Sequence, residues 1–171
     1  MPLAYFITFS TYGTWLHGTD KGKGSVDRDH NGYATPFLEP DVNRQSDEKN
    51  AMVQAPYLLD EARREVVRNA IVAFAKERQW QLLALHVRSN HVHVVVSAER
   101  DPDRLMSELK ARASKELTAA GFDTVDRKRW TRHGSTLHLF DERAVREKIA
   151  YTLHEQGKPM AIFDGTAQID G

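Results

Sequence analysis

The chain has 171 residues, with 24 Lys+Arg balanced by 24 Asp+Glu, so its formal net charge at pH 7 is zero with histidines neutral. This length suits a single domain over residues 1–171 with one core, and 40% hydrophobic with 28% charged residues excludes a disordered or collagen-like chain. No apolar run is long enough to cross a bilayer, and the absence of cysteine excludes disulfides and thiolate metal sites.

The first residues, Met1-Pro2-Leu3-Ala4-Tyr5, show no basic stretch followed by an apolar segment and a small-residue cleavage site, so the expectation is a cytoplasmic protein without a membrane partner. Ala4 to Ser10 (AYFITFS) is short and rich in β-formers, and Gly13 follows it, which predicts a strand. From about residue 12 to residue 57 the periodicity is lost. Five of the ten glycines and three of the six prolines fall there, so 12–57 reads as an irregular insertion, in which Trp15, His17 and Tyr33 are candidates for contacting DNA or for covering a sheet edge.

Asp60 is placed to cap a helix running to about Arg78, with Ala62, Val66, Ala70 and Phe74 at helical spacing. Gln81 to Arg88, Ser89-Asn90, and His91 to Ser97 then predict a hairpin with a two-residue turn. Asp101-Pro102 opens a second helix with the stripe Leu105, Leu109, Ala113 and Leu117, closed by Gly121. A basic loop, Arg127 to Arg132, leads to a strand around Ser135 to Phe140. A last helix runs from near Asp141 to about Gln156, where Gly157 and Pro159 stop it. The first six regular elements form the order strand, helix, strand, strand, helix, strand. This predicts an α+β ferredoxin-like (RRM-like) βαββαβ sandwich, an antiparallel sheet with helices on one face, followed by a C-terminal helix.

The hairpin turn pairs Arg88 with His91, His86 with His93 and Ala84 with Val95. Period-two alternation then puts Leu83, Leu85, Val87, Val92, Val94 and Val96 on the face the helices cover, and His86, Arg88, His91, His93 and Ser97 on the other. Alternation along the last strand adds His138 to that polar face. Histidines at i and i+2 point the same way with Cα atoms about 6.5–7 Å apart, a spacing suited to gripping one divalent ion. His-Val-His also occurs as plain decoration of an exposed sheet. Its position beside His86 on an otherwise open face favours a site.

On the last helix Val145, Ile149 and Leu153 form a stripe, with Tyr151 and Glu155 close together almost opposite it. Gln156 projects nearer the stripe, which makes Glu155 the better candidate for a group acting beside Tyr151. Between Arg104 and Arg132 the chain holds eight basic and four acidic residues. Lys110, Arg112, Lys115, Arg127, Lys128, Arg129 and Arg132 around Trp130, with Arg88 on the hairpin, are the candidates for phosphate contacts and base stacking. The plainer reading of such a run is a solvated charged loop.

Together these residues resemble the single-tyrosine transposases of the HUH superfamily, the IS200-like insertion-sequence and REP-associated tyrosine transposases. Four segments carry the resemblance, YFITFSTYGTWLHG (5–18), HVRSNHVHVVVSA (86–98), RWTRHGSTLHLFDE (129–142) and AVREKIAYTLHEQG (144–157), and their order fits nearly the whole chain. The resemblance implies that His91 and His93 are metal ligands and catalytic, that Tyr151 is the nucleophile, and that the ion is Mg²⁺ or Mn²⁺. The family's third ligand is a polar side chain, often Gln or Asn, one helical turn after the tyrosine. Here that position is Glu155, with Gln156 beside it as the second choice. The implied substrate is single-stranded DNA with hairpin ends, cleaved and rejoined through a 5′-phosphotyrosine. The tyrosine helix fits either its own sheet or that of a partner in a homodimer. Two other readings share the fold: a domesticated nucleic-acid-binding module without transposition, and a metal-dependent phosphodiesterase that uses water.

Overall fold

The strand β1 (Ala4–Thr11, AYFITFST) lies in the middle of a sheet, and its residues explain why. Tyr5, Ile7 and Phe9 point to one face and Ala4 and Phe6 to the other, and all five are buried. A strand apolar on both sides needs cover on both. The computed structural model describes residues 1–14 and 54–168 of the chain. In it β1 is followed by α1 (Glu61–Glu77), β2 (Gln81–Val87), β3 (His91–Ser97), α2 (Pro102–Ala119), β4 (Trp130–Leu139), α3 (Glu142–His154) and β5 (Ala161–Asp164). The sheet is antiparallel throughout, in the order β4-β1-β3-β2-β5. Its first four strands have the predicted ferredoxin-like arrangement, while β5 is an addition that the sequence did not announce.

Both long helices start at the expected caps, Asp60 accepting from the Arg63 amide and Asp101 from the Arg104 amide. They cover the face lined by Tyr5, Ile7, Phe9, Leu85, Val87, Val92 and Val94, burying Val67, Ile71 and Phe74 from α1 and Leu105, Leu109, Ala113 and Leu117 from α2. Each fully buried side chain of this size contributes about 1.5–3 kcal/mol by leaving water. The third helix, α3, lies on the opposite face, where Leu153 packs with Ala4, Phe6, Leu83, Ala84, Val95 and Leu139. The hairpin's polar face is therefore covered rather than open.

Two assignments of faces differ from the alternation. The β2–β3 register shifts between Leu82 and Ala84, so Leu82 joins the α1/α2 core and Leu83 turns to the α3 side. His138 lies opposite Tyr5, packs edge-on against its ring at 5.1 Å, and so belongs to the α1/α2 side and not with His93. The basic loop is also shorter than predicted, because Trp130, Thr131 and Arg132 already belong to β4.

Candidate active site on the sheet face under the C-terminal helix

The hairpin turn sets the two histidines in place. The Arg88 amide donates to the His91 carbonyl at 2.9 Å, His86 stands opposite His93, and β1 supplies Thr8 opposite His93 and Ser10 opposite His91. The imidazoles of His91 and His93 lie 4.7 Å apart, centroid to centroid. The Nδ1 of His93 is 2.8 Å from the Thr8 hydroxyl, and the Nδ1 of His91 donates to Asn90 Oδ1 at 2.6 Å. Each ring is thus held through Nδ1, and with the hydrogen on Nδ1 the lone pair is on Nε2, which is how outer partners orient metal-binding histidines.

Both imidazoles are held neutral. Burial, with Arg88 and His86 nearby, pushes the pKa of His91 down to about 4. Deeper burial and the neighbouring His91 push that of His93 down to about 3. The side chain of Gln156 is a polar neighbour of both rings that partly offsets their burial, and its Nε2 donates to the Tyr151 carbonyl at 3.3 Å. This directs the amide oxygen toward the histidines. Glu155 is the C-terminal cap of α3, with backbone angles of −114° and 19°, and its side chain is exposed. Among the described residues no three His, Cys, Asp or Glu side chains come together. The trio the structure assembles is His91, His93 and Gln156. Two neutral imidazoles and an amide oxygen form a donor set that fits a divalent ion of the Mg²⁺/Mn²⁺ kind.

Tyr151 is half-buried, with its ring edge-on to His93 at 5.8 Å and to Phe6 at 5.8 Å, while Phe6 stacks on His93 at 5.5 Å. Among the described residues its hydroxyl makes no hydrogen bond. What fixes the helix end is His86, which the sequence placed on this face without a role. Its Nδ1 donates to the Thr152 carbonyl at 3.0 Å and its Nε2 accepts from the Met160 amide at 3.0 Å. Burial and the Arg88 charge lower its pKa, so it stays in the one neutral tautomer that serves both partners.

The basic candidates divide. Arg88 is at the site, its Nη1 donating to the Lys158 carbonyl at 3.1 Å and lying 3.4 Å from His86 Nε2. Lys110, Arg112 and Lys115 belong to α2, on the other side of the sheet. Lys110 donates to the carbonyls of Thr131 and His133, and burial lowers its pKa to about 8. Arg112 pairs with Glu77. Arg127 holds Gln54 and the Ala55 carbonyl, with its guanidinium 4.9 Å from the centre of the Tyr57 ring. The ammonium of Lys128 sits 5.7 Å from the centre of the Tyr12 ring. Arg129 is buried and bonded to Ser114, Thr118, Phe122 and Thr124. The Trp130 indole donates to Ser114 Oγ and the Lys110 carbonyl and packs edge-on to Phe9. Arg132 is exposed. The run therefore contains a large internal fastening as well as exposed charge, and it is not brought together with the histidine pair. Trp15, His17 and Tyr33, like most of 12–57, lie outside the described residues.

Residues 54–136 match the family described as Transposase IS200 like. The match takes in β2, β3, α2 and both histidines. Tyr151 and Gln156 lie beyond the matched transposase segment. Two solved structures resemble the chain at 13% identity. One, of a REP-associated tyrosine transposase bound to a REP hairpin, has a TM-score of 0.48 over 91% of this chain and 67% of that one. The other is a protein provisionally described as a transposase from Deinococcus radiodurans R1, with a TM-score of 0.44 over 91% of this chain and 92% of that one. No curated protein matches the chain.

Proposed function

We propose that the protein is a metal-dependent transposase that cleaves and rejoins single-stranded DNA with Tyr151 as nucleophile. The observation that carries this reading is the convergence of His91 and His93 from β3, inside the stretch that matches the IS200-like transposase family, with Gln156 and Tyr151 from the end of α3. His91, His93 and Gln156 would hold a divalent ion, which supplies Lewis-acid polarisation of the scissile phosphate and stabilises the leaving 3′ oxygen. Because all three side chains are neutral, they subtract nothing from the charge that the phosphate meets.

The protein's own groups do the rest. Thr8 and Asn90 keep the imidazoles turned outward, and His86 keeps the last turn of α3 against the sheet. The Tyr151 oxygen attacks phosphorus as the bond to the 3′ oxygen breaks. The bonding pair leaves with the 3′ oxygen, and the phenolic proton is balanced by the proton that oxygen takes up. The products are a 5′-phosphotyrosine and a free 3′-hydroxyl. Since the phosphoester is retained, attack by another 3′-hydroxyl rejoins DNA without ATP.

The test is incubation with Mn²⁺ or Mg²⁺ and single-stranded oligonucleotides tiling the flanks of the gene, with Tyr151→Phe as control. A denaturation-resistant protein–DNA adduct that needs both metal and Tyr151 is the expected result. Cleavage that persists in Tyr151→Phe identifies water as nucleophile, and binding without adduct or cleavage identifies a binding module.

A further inference from the structure

The helix α3 carries three long cationic side chains before Tyr151, and they are used differently. Arg143 pairs with Glu147 at 3.0 Å and Arg146 with Glu142 at 3.6 Å, each one turn away along the helix. Lys148 has no carboxylate within ion-pair distance among the described residues. Its ammonium lies 4.7 Å from the centre of the Phe6 ring and 5.0 Å from that of the Tyr151 ring, and the side chain is half-buried. Spacing of three along the helix puts Lys148 on the same side as Tyr151. Phe6 in turn stacks on His93, so one aromatic ring touches the lysine, the tyrosine and a histidine of the proposed metal site.

An ammonium resting on two ring faces is held weakly, by about 0.5–1 kcal/mol per contact at a partly exposed position. It keeps most of its capacity to meet an anion. The other site cation, Arg88, already donates to the Lys158 carbonyl. His91, His93 and Gln156 carry no charge. Among the described residues, the one uncommitted positive charge beside Tyr151 is therefore Lys148.

We propose that Lys148 is a further catalytic residue, its ammonium contacting a non-bridging oxygen of the scissile phosphate while Tyr151 attacks. This deepens the phosphotyrosine reading and rests on it. Lys148 transfers no proton. It stays an ammonium while the bond between Tyr151 oxygen and phosphorus forms and the bond to the 3′ oxygen breaks, and it opposes the charge that gathers on the phosphoryl oxygens.

The experiment compares wild type, Lys148→Met, Lys148→Arg and, as a paired-surface control, Arg143→Met. In the presence of Mn²⁺, the rate of adduct formation on the flank oligonucleotides is expected to fall in Lys148→Met by roughly ten- to hundredfold, less than for a fully enclosed oxyanion donor because Lys148 is half-exposed. Lys148→Arg recovers most of the rate and Arg143→Met leaves it unchanged. The salt dependence of binding to a 20-nucleotide oligothymidylate, measured in the Tyr151→Phe background, is expected to flatten by about 0.7 in the slope of log K against log salt when Lys148→Met is added. Thermal melts confirm folding, since methionine keeps the stem that covers Phe6. Unchanged rate and unchanged slope in Lys148→Met overturn the proposal. If wild type forms no adduct on any oligonucleotide, the phosphotyrosine reading fails, and the salt slope still decides whether Lys148 meets a phosphate.

Discussion

The Nδ1 of His86 sits 3.0 Å from the carbonyl oxygen of Thr152, the residue that follows Tyr151. With Nε2 taken by the Met160 amide, one ring fastens both the end of α3 and the start of β5 to β2. His86→Leu fills a similar volume but leaves the buried Thr152 carbonyl and the part-buried Met160 N–H unpaired. The expected loss is about 2–4 kcal/mol. Thermal melting measures it, and hydrogen exchange should show the amides of 160–164 losing protection before those of β1.

The third donor of the proposed metal site is checked by Mn²⁺ titration. Gln156→Ala is expected to weaken Mn²⁺ binding by roughly tenfold or more, comparable to losing an outer partner of a ligand histidine. Glu155→Ala, at an exposed cap position, should change it less than twofold, a figure of about the size of measurement scatter. The reverse ranking returns the role to Glu155.

The depressed histidine pKa values predict an acid-sensitive fold in metal-free protein. Unfolded, His91 and His93 take up protons near pH 6.5; folded, only near 4 and 3. Between those limits the unfolded chain binds more protons, so stability rises with pH. Lowering the pH from about 7 to about 4 should therefore lower the Tm continuously, with His91→Gln and His93→Gln each flattening the profile.

Arg129 and Arg132 are three residues apart and should separate fastening from DNA contact. Arg129→Ala empties a buried site and strands several part-buried acceptors, and is expected to cost about 2–4 kcal/mol. Arg132→Ala, at an exposed site, should leave the Tm within about a degree. Any loss of oligonucleotide affinity in folded Arg132→Ala then reports a phosphate contact.

At Gly165 a Cβ would stand 1.8 Å from the Leu82 carbonyl oxygen. That atom is backbone, so it cannot swing aside. Gly165→Ala should loosen β5 from β2, at a cost of about 1–3 kcal/mol by thermal melting.

The central βαββαβ order was legible because its signals are local: two Asp caps, a hairpin turn, and apolar stripes of the right period. The pairing of His86 with His93 followed from the turn alone. What alternation could not supply was parity across an irregularity. The shift at Leu82 and Ala84 reverses the face of Leu83, and no residue type at that point marks it. The helical wheel placed Gln156 with the apolar stripe, and the stripe side is the side that meets the histidines. β5 escaped because four residues are too few for a period, and its place depends on a bond from His86 that is remote in sequence.

The strand β4 ends at one edge of the sheet and β5 is the other edge, so α3, between them in sequence, is strapped across the face it covers. Its tyrosine has a lead of fixed length anchored at each end. Carrying Tyr151 away to another molecule would require peeling off a whole edge strand together with its His86 fastening, which makes any such exchange a cooperative, slow event.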